Sequence, residues 1–378
     1  MSAIMKSRAS KFFAVVAAAA LCLGVMGLVS GCSSSNEASS ASSSAATQNE
    51  TRTFTDSLGR EVELPAQIDR IAPSGHTANQ VLLTMAPEKM VCLSQDLTED
   101  QQKYAVGLKD YASLPITGAA FGAKGDINKE AVAAADPQVI IDTGEVKDGL
   151  VEDMDTLQGQ LGIPVVFVET KLEDYGAAYE MLGELLGMPE RGQELSDYCA
   201  AAYKEVTDVM AAIPESDRVS IGCFLGDAGL NTIAKNSYQG QVIDLCANNV
   251  AVLEKASGSG MGQEVSMEQI ALWNPELVIF GPKSIYDSVA DDPAWDGITA
   301  IDNGNFYETP ASPYNWLNNP PTVNQVMGMQ WLPRLLYPDK FDTSIADVTK
   351  SYYKTFYGYE LTDAEVAELT AKALPKNA

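Results

Sequence analysis

Histidine is almost absent from this chain: His76 is the single one among 378 residues. That scarcity excludes an H-E-x-x-H metalloprotease helix and any zinc or manganese centre built on several imidazoles. Basic residues are few as well, 25 Lys and Arg against 51 Asp and Glu, a formal net charge of −26. Such a balance argues against nucleic acid or an anionic lipid surface as partner. The six cysteines contain no C-x-x-C pair, so zinc-ribbon and thioredoxin-type spacings are missing. No G-x-x-x-x-G-K-[ST] phosphate loop occurs, and Gly258-Ser259-Gly260-Met261-Gly262 lacks both a preceding strand and the G-x-G-x-x-G spacing. Nor does a Ser-centred elbow precede a helix as a hydrolase requires. A secreted enzyme is thus the remote alternative.

What the chain does contain begins with an export signal. Lys6, Arg8 and Lys11 form a positive start with no acid, and Phe12 to Leu28 is an apolar run ending in small residues. Removal of residues 1–31 leaves 22 (25 − 3) basic against 51 acidic residues, a net −29. Residues 32–50, mostly Ser and Ala, have no apolar face to bury and read as a flexible tether reaching on the order of 20 Å. Of the cysteines, Cys92, Cys199, Cys223 and Cys246 remain in the body of the chain, most of them in apolar contexts, and buried thiols are the expectation.

One stretch occurs twice. Ile127 to Ile141, INKEAVAAADPQVII, matches Val265 to Ile279, VSMEQIALWNPELVI, at a constant offset of 138 (265 − 127). Each copy reads as N-cap (Asn128, Ser266), a two-turn helix, a proline stop and a short buried strand. Around them the chain alternates strand and helix. A hairpin runs from Thr53 to Leu64, a strand from Asp69 to Ala72, a helix from Ala78 to Met85 and a strand from Lys89 to Leu93. Further strands are predicted at Pro164–Val168, Ser220–Phe224 and Asn305–Tyr307. This grammar predicts an α/β fold of two Rossmann-like lobes with central parallel sheets, residues 51–172 and 215–378. Residues 173–214 are helical in composition, broken at Gly187-Met188-Pro189. The run from Glu190 to Ala212 is about 34 Å long, enough to join the lobes as a single backbone helix.

Taken in order, Phe54-Thr55-Asp56-Ser57-Leu58-Gly59-Arg60-Glu61-Val62, Arg70-Ile71-Ala72 and the two copies of the repeat resemble the helical-backbone (class III) substrate-binding proteins of ABC importers. Leu28-Val29-Ser30-Gly31-Cys32 resembles the bacterial lipobox, which implies cleavage before Cys32 and its lipidation, with palmitate. The resemblance implies an extracytoplasmic, membrane-anchored, monomeric protein with no built-in cofactor. Such a protein hands its ligand to a permease dimer. The ligand it implies is an iron complex, a ferric siderophore or haem, with molybdate, tungstate or a corrinoid as alternatives.

In cobalamin- and siderophore-binding members one glutamate of each lobe meets permease arginines. The matching positions here are Glu130 and Glu268. The ligand is expected at loops that follow the carboxyl ends of strands. These loops hold Ser74 and His76, Phe121 and Lys124, and Tyr314 and Trp316. His76 is the candidate for touching a metal or chelate. The aromatic residues suit a planar complex, and Lys124 suits an anionic group.

Overall fold

The computed structural model of the protein describes residues 50–108, 111–121, 125–254 and 261–375. The export signal, Cys32 and Lys124 lie outside the described residues, as do Gly258, Ser259 and Gly260. No helix among those described is long and apolar enough to cross a membrane.

Strands β1 (Thr51–Thr55) and β2 (Glu61–Pro65) form the antiparallel hairpin. Asp56 ties its turn down by accepting the Leu58 and Arg60 amides at 3.0 Å and the Arg60 guanidinium at 2.9 Å. Strand β3 (Ile71–Pro73) leads into helix α1 (His76–Met85), and α2 (Glu99–Tyr104) is closed by a capping box from Thr98 and Gln101. The strand expected at Lys89–Leu93 does not form. Pro87–Lys89 is a 3₁₀ turn, and the residues after it make single parallel bridges, Ile71 with Met90 and Leu93 with Ile116. Proline pre-set for a helical turn outweighs the apolar run that follows it.

The first copy of the repeat is helix α3 (Lys129–Ala135) and strand β4 (Val139–Gly144). Asn128 caps the helix by accepting the Ala131 amide at 3.0 Å, a contact worth about 1 kcal/mol. Helix α4 (Leu150–Leu161) then leads to β5 (Val165–Glu169). Strands β3, β4 and β5 form a parallel sheet in that order. Val139, Ile140 and Ile141 are fully buried, as an apolar run covered on both faces should be.

Helices α5 (Tyr175–Leu186) and α6 (Pro189–Ala211) form the connection. They cross closely because a Cβ on Gly192 would lie 2.7 Å from the Tyr179 carbonyl oxygen and 2.9 Å from the Gly183 Cα. Leu195, Cys199, Ala202, Val206 and Met210 line one buried stripe of α6, the spacing of an amphipathic helix.

The second lobe runs β6 (Ser220–Leu225), β7 (Asn231–Thr232), α7 (Gln241–Cys246), β8 (Asn248–Asn249) and β9 (Gln263–Glu264). The second copy follows as α8 (Met267–Trp273) and β10 (Leu277–Phe280), then α9 (Thr299–Asp302) and β11 (Phe306–Glu308). Parallel pairings join β11, β10, β6 and β8, while β7 and β9 add an antiparallel edge, so this sheet is mixed. The echo is structural in detail. Ser266 caps α8 through the Gln269 amide at 3.2 Å, and both repeat helices end left-handed, at Asp136 (φ 48°) and Asn274 (φ 41°).

The chain ends in α10 (Gln325–Leu336), α11 (Ile345–Tyr357) and α12 (Asp363–Leu369). Helix α11 returns to the first lobe. Tyr353 packs edge-on against Tyr104 of α2 at 5.1 Å, and Arg191 of α6 donates to the carbonyls of Thr84 and Thr355 at 2.8 Å each. One core of buried side chains therefore runs through Ile71, Leu182, Leu195, Ile221 and Trp331. Cys92, Cys199, Cys223 and Cys246 are free and buried; burial pushes the Cys92 thiol up to about 11 and Cys223 up to about 12.

Candidate functional site

Strand β3 delivers Ser74 to the carboxyl edge of the first sheet, where its hydroxyl donates to the Asp142 carboxylate at the end of β4. Both residues are buried. Desolvation pushes the Asp142 carboxyl up to about 6, against the opposing hydrogen bonds from Ser74 and the Thr143 backbone, and Asp153 adds to the rise. His76 opens α1, exposed, with Nδ1 3.1 Å from the Ser94 hydroxyl. Among the described residues no group of three or more His, Cys, Asp or Glu side chains stands close enough to hold a metal ion. His76 is therefore not part of such a group. Thr77 donates to the Thr143 carbonyl at 3.0 Å and ties the two loops together.

The aromatic candidates are placed differently from one another. Phe121 is half-buried against the small cluster that includes Val132, Ile140 and Phe167. Tyr314 is 7% exposed; burial raises its hydroxyl's pKa, and the hydroxyl lies beside Asn79 without a well-formed hydrogen bond. Trp316 is 0% exposed, edge-on to Trp331 at 6.1 Å. Helix α10 presses on it so closely that a Cβ on Gly328 would lie 2.0 Å from the Trp316 carbonyl oxygen. Trp316 is thus corrected from a ligand-facing residue to a core residue, because its large apolar ring gains more from that seam than from a wet cleft.

A cavity of about 510 Å³ opens where the two lobes meet. Glu145 reaches it from the end of β4, Lys171 and Glu173 from beyond β5, and Tyr203 from α6. Tyr238, Gln241 and Asp244 line it from the second lobe. Two of these stitch the lobes together. The Tyr238 hydroxyl donates to the Thr170 carbonyl at 2.8 Å, and Gln241 accepts the Leu172 amide at 3.0 Å. Burial pushes the Tyr238 hydroxyl up to about 12. Asp244 accepts from the Asn236 amide at 2.6 Å and from Asn249 at 3.1 Å, and burial raises its carboxyl.

Of the expected ligand residues, Ser74, His76, Phe121, Tyr314 and Trp316 do not line this cavity. Glu145, just beyond the end of β4, does line it. Tyr238 and Gln241 are absent from the sequence-based expectation. The polar run Asn236-Ser237-Tyr238-Gln239-Gly240 between β7 and α7 is the signal that marks them.

The glutamates of the repeat occupy equivalent places, each the second residue of its helix: Glu130 in α3 and Glu268 in α8. Both are exposed, and no ion pair holds either among the described residues. Each helix runs back into its parallel strand, so its amino end stands at the carboxyl edge of its own sheet. The Glu268 carboxyl is lowered by its own backbone amide first and then by the Ser266 hydroxyl.

Comparison with known proteins decides the family. The sequence profile of the family described as "Periplasmic binding protein" matches residues 94–313, more than half of the chain. The chain belongs to the periplasmic binding protein family. This binding protein superposes on an ABC transporter solute-binding protein from Sulfurospirillum deleyianum with a TM-score of 0.76 and 28% identity. The match covers 85% of this chain and 99% of that one. A periplasmic solute-binding protein from Veillonella parvula shares the fold, with a TM-score of 0.69, 24% identity, and 85% and 98% coverage. A curated relative, the Fe(3+)-citrate-binding protein YfmC of Bacillus subtilis, is 23% identical over 225 residues, 58% of this chain and 66% of its own length. The two-lobe α/β architecture with its helical connection agrees with the fold of these structures, and the binding protein is of the solute-binding, transport-related kind.

Proposed function

We propose that this solute-binding protein captures an iron complex, a ferric siderophore or haem, between its lobes for an ABC importer. The observation that carries this reading is the interlobe cavity of about 510 Å³ with tyrosines on two of its walls. A space of that size suits a small-molecule chelate better than a bare ion or a tetrahedral oxyanion. The similarity to a ferric-citrate-binding protein supports iron as the metal. Export on the signal of residues 1–31 and a lipid anchor at Cys32 would hold the protein at the outer membrane face beside its permease. The test is to purify the protein from its own host and identify its load by elemental analysis and absorption. Iron with a siderophore or Soret band is the expected result; molybdenum or cobalt in its place overturns the reading. Mass spectrometry of the amino-terminal peptide tests the anchor, expected as a lipidated Cys32, and an unmodified residue overturns it.

A further inference from the structure

The interlobe cavity has an electrostatic sign. Glu145 and Glu173 reach it from the first lobe and Asp244 from the second, whereas Lys171 is the only cation among its described lining residues. The Lys171 ammonium is already engaged, 2.7 Å from Glu169. Lys147, on the loop that carries Glu145, stands 3.7 Å from that carboxylate and offsets part of its charge, but does not line the cavity. Tyr203 and Tyr238 add aromatic rings to its lining, and the face of such a ring attracts a cation. Exposed charges of this kind are screened by salt, but a concave wall concentrates their field, and a chain of net charge −26 reinforces it.

We propose that the complex taken up here carries net zero or positive charge and turns an amine- or hydroxyl-bearing periphery toward Glu145, Glu173 and Asp244. Polyanionic chelates such as ferric citrate, haem with its two propionates, and free oxyanions fall outside this class. This inference rests on the reading of the cavity as the site of an iron complex and narrows it to one charge class. Hydroxamate-type chelates fit, because three hydroxamates neutralise ferric iron. Tricatecholate complexes, with three negative charges, do not.

Calorimetric titration of the purified protein distinguishes the classes. The probes are a ferric trihydroxamate with a free amine, a neutral cyclic ferric trihydroxamate, a ferric tricatecholate and molybdate. The expected affinity order is cationic, then neutral, then anionic, with at least about tenfold between the ends, or about 1.4 kcal/mol. That spread should shrink at high salt. The double variant E145Q/E173Q, checked for an unchanged thermal midpoint, should flatten the order. Tricatecholate bound as tightly as the cationic complex overturns this inference and leaves the iron reading standing. So does an order that E145Q/E173Q leaves unchanged, and if that variant fails to fold, the wild-type order alone decides. Binding of molybdate with no iron complex overturns both.

Discussion

Asp142 is a carboxyl group in the wrong medium. Buried at the end of β4 with Ser74 donating to it, it is pushed up from 3.8 to about 6. Between those values the folded state keeps a proton that the unfolded state has released, so stability falls as pH rises through the window. The contribution is complete below about 3.8 and lost above 6, on the order of 3 kcal/mol from the shift at 1.36 kcal/mol per unit. Asp142→Asn keeps an acceptor for Ser74 and removes the titration. Urea unfolding at pH 4 and pH 7.5 should show the variant gaining on the wild type by roughly 1–3 kcal/mol at the higher pH. An equal difference at both would mean that Asp142 titrates normally. Trp316 makes a second test at this scale. Trp316→Ala should cost about 3–5 kcal/mol, because the ring is fully buried against Trp331. His76→Ala, at an exposed position, should cost within about 1 kcal/mol. Affinity lost without stability in Trp316→Ala would return the tryptophan to the ligand site.

Helices report on packing through their glycines. Gly192 of α6 faces backbone, with the Tyr179 carbonyl oxygen 2.7 Å and the Gly183 Cα 2.9 Å from where a Cβ would stand. Gly192→Ala should therefore destabilise by about 1–3 kcal/mol, the cost of overpacking, although alanine is the better helix former. Gly159 of α4 has nothing within 4 Å of the same position, so Gly159→Ala should stabilise by about 0.5–1 kcal/mol. Thermal unfolding of the two variants reads opposite signs, and equal signs would place the crossing of α5 and α6 elsewhere. The elements themselves were largely legible in the sequence, because local chemistry specifies them. Asn128 and Ser266 cap, Pro137 and Pro275 stop, and the apolar runs of β4 and β10 are buried. What was not legible depends on contacts distant in sequence. Trp316 and Tyr314 have the composition of a ligand loop, and only the seating of α10 and α1 against them hides them. Tyr238 and Gln241 look like an ordinary turn until the second lobe brings them to Thr170 and Leu172.

The whole molecule presents one design twice. Glu130 and Glu268 stand at the same position of the same helix in each lobe, exposed and without an ion-pair partner among the described residues. First-turn helix propensity explains a carboxylate at either place, at about 0.3–1 kcal/mol, and does not by itself require both. Docking on a two-fold permease would require both, since two like subunits would offer the same surface to two lobes. The lobes are held at a set separation by a core shared across α6 and by α11 packed on α1 and α2. The spacing of the two carboxylates is thereby built into the fold. Glu130→Lys with Glu268→Lys should leave ligand affinity and thermal stability nearly unchanged, because neither residue lines the cavity or packs in the core. Uptake in cells should fall to background, and each single reversal should fall between. Ligand affinity lost with uptake intact would assign both residues to the ligand site and sink the docking role. Uptake untouched by the double reversal would leave them as helix-start carboxylates only.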